Sequence, residues 1–115
     1  MTNYSRGRAT EYERIEYFKK NGFQAIRTAG SHSPVDIIAW DRVSIYFEQL
    51  KLCKSKKFYP DRKELLKFAD IPIPPEATKR FVVRYVGSKE WHEYLVLKDQ
   101  SGKVNLYDPH RNKVI

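Results

Sequence analysis

Cysteine is nearly absent: Cys53 stands alone in 115 residues, so no internal disulfide can form. No second cysteine or histidine lies at zinc-ligand spacing from it, which sets aside the common structural zinc sites. Long apolar runs are missing too. Nothing approaches the ~20 residues a membrane-crossing helix needs. The stretch Met1 to Arg6 also lacks the apolar core of a secretory signal. These absences predict a chain with no membrane partner in a reducing, cytoplasmic compartment. Acidic residues are the minority, 14 against 22 Lys and Arg, leaving a net charge of +8. That balance favours polyanionic partners: DNA, RNA or an anionic membrane surface, among which charge alone does not choose.

What is present fits one domain over residues 1–115, with no internal repeat and no low-complexity linker. A helix is predicted from about Thr10 to Lys20, with Thr10 as N-cap, Glu13 as its capping-box partner and Gly22 as the C-terminal cap. Ile15 and Phe18 form its apolar stripe, and Glu11 sits at the stripe's end, pointing inward; Glu13 and Glu16 can face water. Phe23 to Ile26 reads as a short strand. Val35 to Trp40 and Val43 to Leu52 read as two stronger ones, joined as an antiparallel hairpin by a tight turn at Asp41-Arg42. Arg62 to Ala69 can form a short helix capped by Asp61. The prolines at 72, 74 and 75 then force an extended connector. Arg80 to Val86, Glu93 to Lys98 and Val104 to Tyr107 complete the strands. The pattern is an α/β or α+β domain built on a mixed sheet.

Polar residues inside the two strongest strands carry the chemistry. A buried sheet accepts a charge only when it is paired, hydrated or bound to metal. Side chains alternate along a strand, so Gln49 and Lys51 share a face and Glu48 takes the other. Asp36 opens the neighbouring strand and can converge on the pair, with Glu11 reaching in from the helix. Two carboxylates, an amide oxygen and a backbone carbonyl suit a hard divalent ion such as Mg²⁺, with Mn²⁺ as a substitute. A metal there would lower the pKa of a bound water, and Lys51 would hold that water and offset developing charge. Each residue also has an ordinary reading. Asp36 can be a turn residue, Glu11 a solvated helix acid, Lys51 an edge-strand lysine and Gln49 a partner for a buried backbone group. Their joint spacing in a basic chain points to phosphodiester hydrolysis.

The chain also resembles the archaeal-type Holliday junction resolvases of the PD-(D/E)xK nuclease superfamily. The segments that carry the resemblance are Arg6-Gly7, Glu11-Tyr12-Glu13-Arg14, Asn21 to Ser31, Val35 to Ala39 and Gln49-Leu50-Lys51. It spans about Arg6 to Lys57 and implies a restriction-endonuclease-like mixed β-sheet flanked by helices. By this resemblance Glu11 and Asp36 are metal ligands, Gln49 and Lys51 fall on the E-x-K pair, and Ser31 matches a catalytic loop serine. The departure is Gln49, where the family usually has glutamate. An amide oxygen can still ligate metal but brings no negative charge. The resemblance implies a symmetric homodimer acting on branched DNA; the apolar, aromatic-rich composition of Phe81 to Val86 and Tyr94 to Leu97 makes those strands candidates for part of its interface. Two alternatives stay open: a duplex-nicking or restriction-like endonuclease, and an inactive nuclease-fold DNA-binding protein.

Nucleic-acid contacts are expected from Arg6 and Arg8, from Arg27, Ser31 and His32 around the Gly30 loop, and from Lys54, Lys56 and Lys57, with Arg62 and Lys63 close behind. Such contacts position phosphates without reading sequence. Phe58-Tyr59 can stack on a base or cover a hydrophobic edge. Trp40 and Trp91 read as core or interface anchors.

Overall fold

The computed structural model describes residues 3–28 and 33–115, with the side chains of residues 3–6 outside the description. Helix α1 (Asn3–Lys20) leads into strands β1 (Gln24–Arg27), β2 (Ile37–Trp40) and β3 (Ile45–Cys53). Helix α2 (Arg62–Ala69) follows, then β4 (Ala77–Tyr85), β5 (His92–Lys98), β6 (Val104–Asp108) and β7 (Lys113–Val114). The strands form one seven-stranded sheet in sequence order. Every pairing is antiparallel except β3 with β4, which run parallel because α2 carries the chain back between them. The sheet is therefore mixed and flanked by helices, as its residue pattern predicts. Among the described residues no helix is long and apolar enough to cross a membrane.

Helix α1 begins seven residues before the predicted cap. Thr10 is consequently mid-helix and buried, and Glu13 is bound by Arg84 rather than serving a capping box. Gly7 is the local deterrent, but a single helical glycine costs only about 1 kcal/mol, too little to stop a helix. The other end follows the sequence closely. Gly22 adopts φ +85°, and Gly22 N–H and Phe23 N–H donate to the carbonyls of Lys19 and Phe18, a Schellman ending. Phe18 and Phe23 close over it with ring centroids 5.3 Å apart.

The β2–β3 connection is longer than a two-residue turn. Trp40 pairs with Ile45, leaving Asp41 to Ser44 as the loop. The Asp41 carboxylate accepts from Val43 N–H and Ser44 N–H, which withdraws both residues from the strand. The Asp61 carboxylate caps α2 by accepting from Lys63 and Glu64 N–H, and Lys79 Nζ donates to the carbonyls of Ala69 and Ile71 at its far end. Strand β7 has no counterpart in the sequence reading. It forms because Asn112 takes φ 54° and folds two residues back on β6, too short a run for periodicity to register.

Alternation along the strands divides the core. On one face Ile15 and Phe18 of α1 pack with Ile37 and Ala39, flanked by Tyr46 and Leu50. On the other, Leu65 and Phe68 of α2 pack with Phe81, Val83, Tyr94, Val104 and Leu106. Thus Phe81, Val82, Val83 and Tyr94, offered as part of a subunit interface, are consumed by the chain's own core. Of the two strand segments, Val86 and Leu97 remain exposed.

Candidate functional site

Strand β3 carries charged or polar groups on both faces, and its two faces are handled differently. Glu48 points toward α1 and is fully buried. Arg14 binds it in a bidentate fork, Nε and Nη2 each 2.8 Å from a carboxylate oxygen, and Arg80 Nε adds a third bond at 2.8 Å. Glu93 bonds Arg14 and lies 3.5 Å from Arg80, so two carboxylates balance two guanidiniums. The Arg14 pKa is raised: burial works against the charge, but the bonds and proximity to Glu48 and Glu93 outweigh it. Trp91 supports the group, its ring 5.1 Å from the Arg14 guanidinium and 3.8 Å from that of Arg84. Trp91 is thus an internal anchor, as its sequence reading holds. This network matches the expectation that Glu48 turns away from Gln49. The guanidiniums that serve it, Arg14 and Arg80, come from α1 and β4 and carry no motif that links them in sequence.

The opposite face gathers Asp36, Gln49 and Lys51. The antiparallel register pairs Ile37 with Glu48, which sets Asp36 beside Gln49 one step further along. Asp36 N–H donates to the Glu48 carbonyl at 2.8 Å, and its own Oδ2 accepts from Leu50 N–H at 2.8 Å. The carboxylate is thereby fixed at the point where β2 begins. Its pKa is pushed up to about 6, chiefly by burial; the Leu50 bond lowers it, Glu11 and Glu64 raise it through charge repulsion, and Lys51 lowers it slightly. Glu11 therefore does act on Asp36, although its own carboxylate accepts from Arg27 Nε at 2.9 Å.

Glu64 is the residue that sequence reasoning missed. It lies on the first turn of α2, three positions after the Asp61 cap, where a glutamate is usually accounted for by the helix terminus. Its side chain instead reaches β3. Gln49 Nε2 donates to Glu64 Oε1 at 2.7 Å, and Lys51 Nζ lies 3.6 Å from Oε2. Only the βαβ crossover, which lays α2 over this face of β3, reveals the connection. This face therefore holds two carboxylates, Asp36 and Glu64, against the cation Lys51. Glu11 acts on Asp36 from α1 and is paired with Arg27, whose register with Ile37 places it on the α1 side of the sheet.

The donor set fits a hard divalent ion in chemistry: carboxylate oxygens and one amide oxygen. Gln49 Oε1 is buried without a hydrogen-bond partner among the described residues, a cost that a cation would relieve. The carboxylates are not gathered in advance. Among the described residues no three Asp, Glu, His or Cys side chains stand as a ready metal cluster. Each acid is held by its own counter-group: Glu11 by Arg27, Asp36 by the Leu50 amide, Glu64 by Gln49 and Lys51.

Ser31 and His32 lie outside the described residues, as does the side chain of Arg6, whose backbone belongs to α1. Arg8, Lys54, Lys56 and Lys57 are exposed, while Arg27 is engaged by Glu11 and stands over the Tyr12 ring. Arg62 donates to the Val104 carbonyl at 2.9 Å. Phe58 packs against Phe81 and the core, leaving Tyr59, 79% exposed, as the member of that pair open to a base.

Comparison with known proteins returns one family. The model of the archaeal Holliday junction resolvases (Hjc) matches residues 2–105. Among solved structures the fold is similar to that of Archaeoglobus fulgidus Hjc, described as a Holliday junction resolvase from an archaeal hyperthermophile. The TM-score is 0.68 at 20% identity, covering 93% of this chain and 87% of that one. No curated protein matches by sequence.

Proposed function

The chain belongs to the archaeal Holliday junction resolvase family, a family of divalent-metal-dependent DNA endonucleases, and from that premise we propose that its cleavage site is the face of β3 that carries Gln49 and Lys51. The observation that supports this most is the register, which sets Asp36 beside Gln49 with Lys51 two residues along the same side. Glu11, Asp36 and Gln49 would hold the metal, Mg²⁺ or in its place Mn²⁺. The bound ion would supply a polarised phosphoryl oxygen and a water of lowered pKa.

The protein's own groups do the rest. The Leu50 N–H fixes Asp36 by one oxygen. Lys51 is half-exposed, with its ammonium held loosely by Glu64, and it is free to swing toward a phosphate or the attacking water. There it would orient that water and offset the negative charge developing on phosphorus. Exposed Arg8, Lys54, Lys56 and Lys57 would grip flanking phosphates, together with Arg6, Ser31 and His32. A homodimer would present two such sites to opposed strands of a four-way junction. The reading is of one nuclease domain over residues 1–115, working in the cytoplasm on branched DNA.

Asp36→Asn tests it. Cleavage of a labelled four-way junction in Mg²⁺ should fall by about 100-fold or more, since even outer-shell partners of a metal ligand are worth 10–100-fold. Junction binding in chelator should persist. Undiminished cleavage would remove Asp36 from the site. Equal cutting of a matched linear duplex by the unaltered protein would favour a duplex endonuclease over a junction-selective one.

A further inference from the structure

We infer that Glu64 is a ligand of the divalent cation and supplies the negative charge that β3 lacks at Gln49; the inference rests on the reading of this face as the metal site. The first support is the orientation of Gln49. A carboxylate only accepts, so the 2.7 Å bond to Glu64 Oε1 must come from the amide nitrogen of Gln49. The amide oxygen is then directed elsewhere, and it is buried with no hydrogen-bond partner among the described residues. Gln49 as a whole is only 5% exposed, so bulk water does not serve that oxygen. An unpartnered amide oxygen on a side chain bonded to a carboxylate is half of an oxygen-ligand set for Mg²⁺ or Mn²⁺.

The second support is charge. Glu11 is already balanced by Arg27, which pairs with Ile37 on the α1 side of the sheet. On the Gln49 side, with Glu64 left out, Asp36 faces Lys51, one acid against one base, and no net negative charge remains for a dication. With Glu64 included the face has a surplus acid. The third is availability. Asp61 caps α2 with its own carboxylate, so Glu64 is not required at the helix terminus. Both Glu64 oxygens face β3, bound by the Gln49 amide on one side and a 3.6 Å contact from half-exposed Lys51 on the other. Lys51 can withdraw toward solvent or substrate and leave that oxygen to the cation. Gln49 then acts as a positioning residue as well as a donor: its NH₂ holds Glu64 while its oxygen faces the ion. The carboxylate needed at the metal thus comes from the crossover helix, not from the strand.

Mn²⁺ titrated calorimetrically into the full chain, without DNA, tests this against four proteins: the unaltered chain, Glu64→Gln, Asp36→Asn, and the double variant Gln49→Glu/Glu64→Gln. Thermal melts of the same samples check folding. Glu64→Gln should weaken Mn²⁺ binding about tenfold or more. The double variant should recover most of that loss, which a merely structural Glu64 would not allow. Glu64→Asp keeps the charge but retracts it by one methylene, and should fall between the two. Undiminished Mn²⁺ affinity in folded Glu64→Gln, with affinity lost in Asp36→Asn, would overturn the role of Glu64 and leave the site standing. Undiminished affinity in both variants, or no binding by the unaltered chain, would overturn the site reading itself and the inference with it.

Discussion

Residues 48 and 49 are neighbours on one strand, yet they belong to opposite kinds of charge chemistry. Glu48 is fully buried and saturated, with three guanidinium bonds from Arg14 and Arg80 and a second acid, Glu93, completing an even balance. Gln49 faces a group that is neither balanced nor saturated: surplus carboxylate, an orphaned amide oxygen, and an Asp36 pushed up to about pKa 6 mainly by burial. A neutral network holds α1 to the sheet, its carboxylates matched one for one by guanidiniums, although Arg14 Nη1 is buried without a hydrogen-bond partner among the described residues. An open, acid-rich one would be relieved by a bound cation. The contrast explains how one strand can be a structural girder on one side and, on the proposed reading, the floor of a nuclease site on the other.

The largest expected effect breaks the closed side. Glu48→Gln removes the charge that Arg14 and Arg80 share and should cost about 3–5 kcal/mol of folding stability, read from denaturant unfolding. A loss below ~1 kcal/mol would show that Glu93 alone can hold the two guanidiniums. Glu93→Gln, at the partly open rim of the same network, should cost less, about 1–2 kcal/mol.

The open side should respond in the opposite direction. Asp36 binds its proton more tightly in the folded chain than its ordinary value of 3.8 would allow. Its protonated form therefore favours folding below pH 3.8, and that advantage disappears as pH rises to about 6. By pH 8 the ionised carboxylate opposes folding by roughly 3 kcal/mol, taking about 1.4 kcal/mol for each unit of the shift. In metal-free buffer Asp36→Asn should raise stability at pH 8 by about 1–3 kcal/mol, less whatever its bond to Leu50 loses, and the gain should vanish near pH 4. Denaturant midpoints measured across that range provide the check. A variant less stable than the parent at pH 8 would mean that the Leu50 bond outweighs burial.

The smallest stability effect belongs to Lys51. Its contact with Glu64 is long and half-exposed, so Lys51→Ala should change stability by less than about 1 kcal/mol. Junction cleavage should nevertheless fall sharply. Equal small losses in both would make Lys51 a surface lysine and return it to its ordinary reading.

Much of this was legible in the residues. Ile15 and Phe18 mark the inward stripe of α1, Asn21-Gly22-Phe23 its end, and Asp61 the start of α2, because helical spacing and capping are local. Alternation separates Glu48 from Gln49 and puts Lys51 beside the latter, because the strand period is two. The hidden parts are those that depend on distant chain. Arg14 meets Glu48 across 34 positions and Glu93 across 79. The Thr10 cap was misread because nothing local records that the helix continues back to Asn3.

The sequence by itself therefore determined the type of fold, the polyanion-seeking charge, and the triplet Asp36, Gln49 and Lys51, since each follows from composition or short-range periodicity. Only the tertiary structure decided which acids accompany that triplet. Glu64 looks like a helix-terminus glutamate until the β3–α2–β4 crossover brings it within 2.7 Å of Gln49. Glu11 meets Arg27 across 16 positions, a pairing that the helix's own spacing does not announce. Chain direction and parallel pairing set those meetings, and side-chain spacing along a single segment carries no record of them.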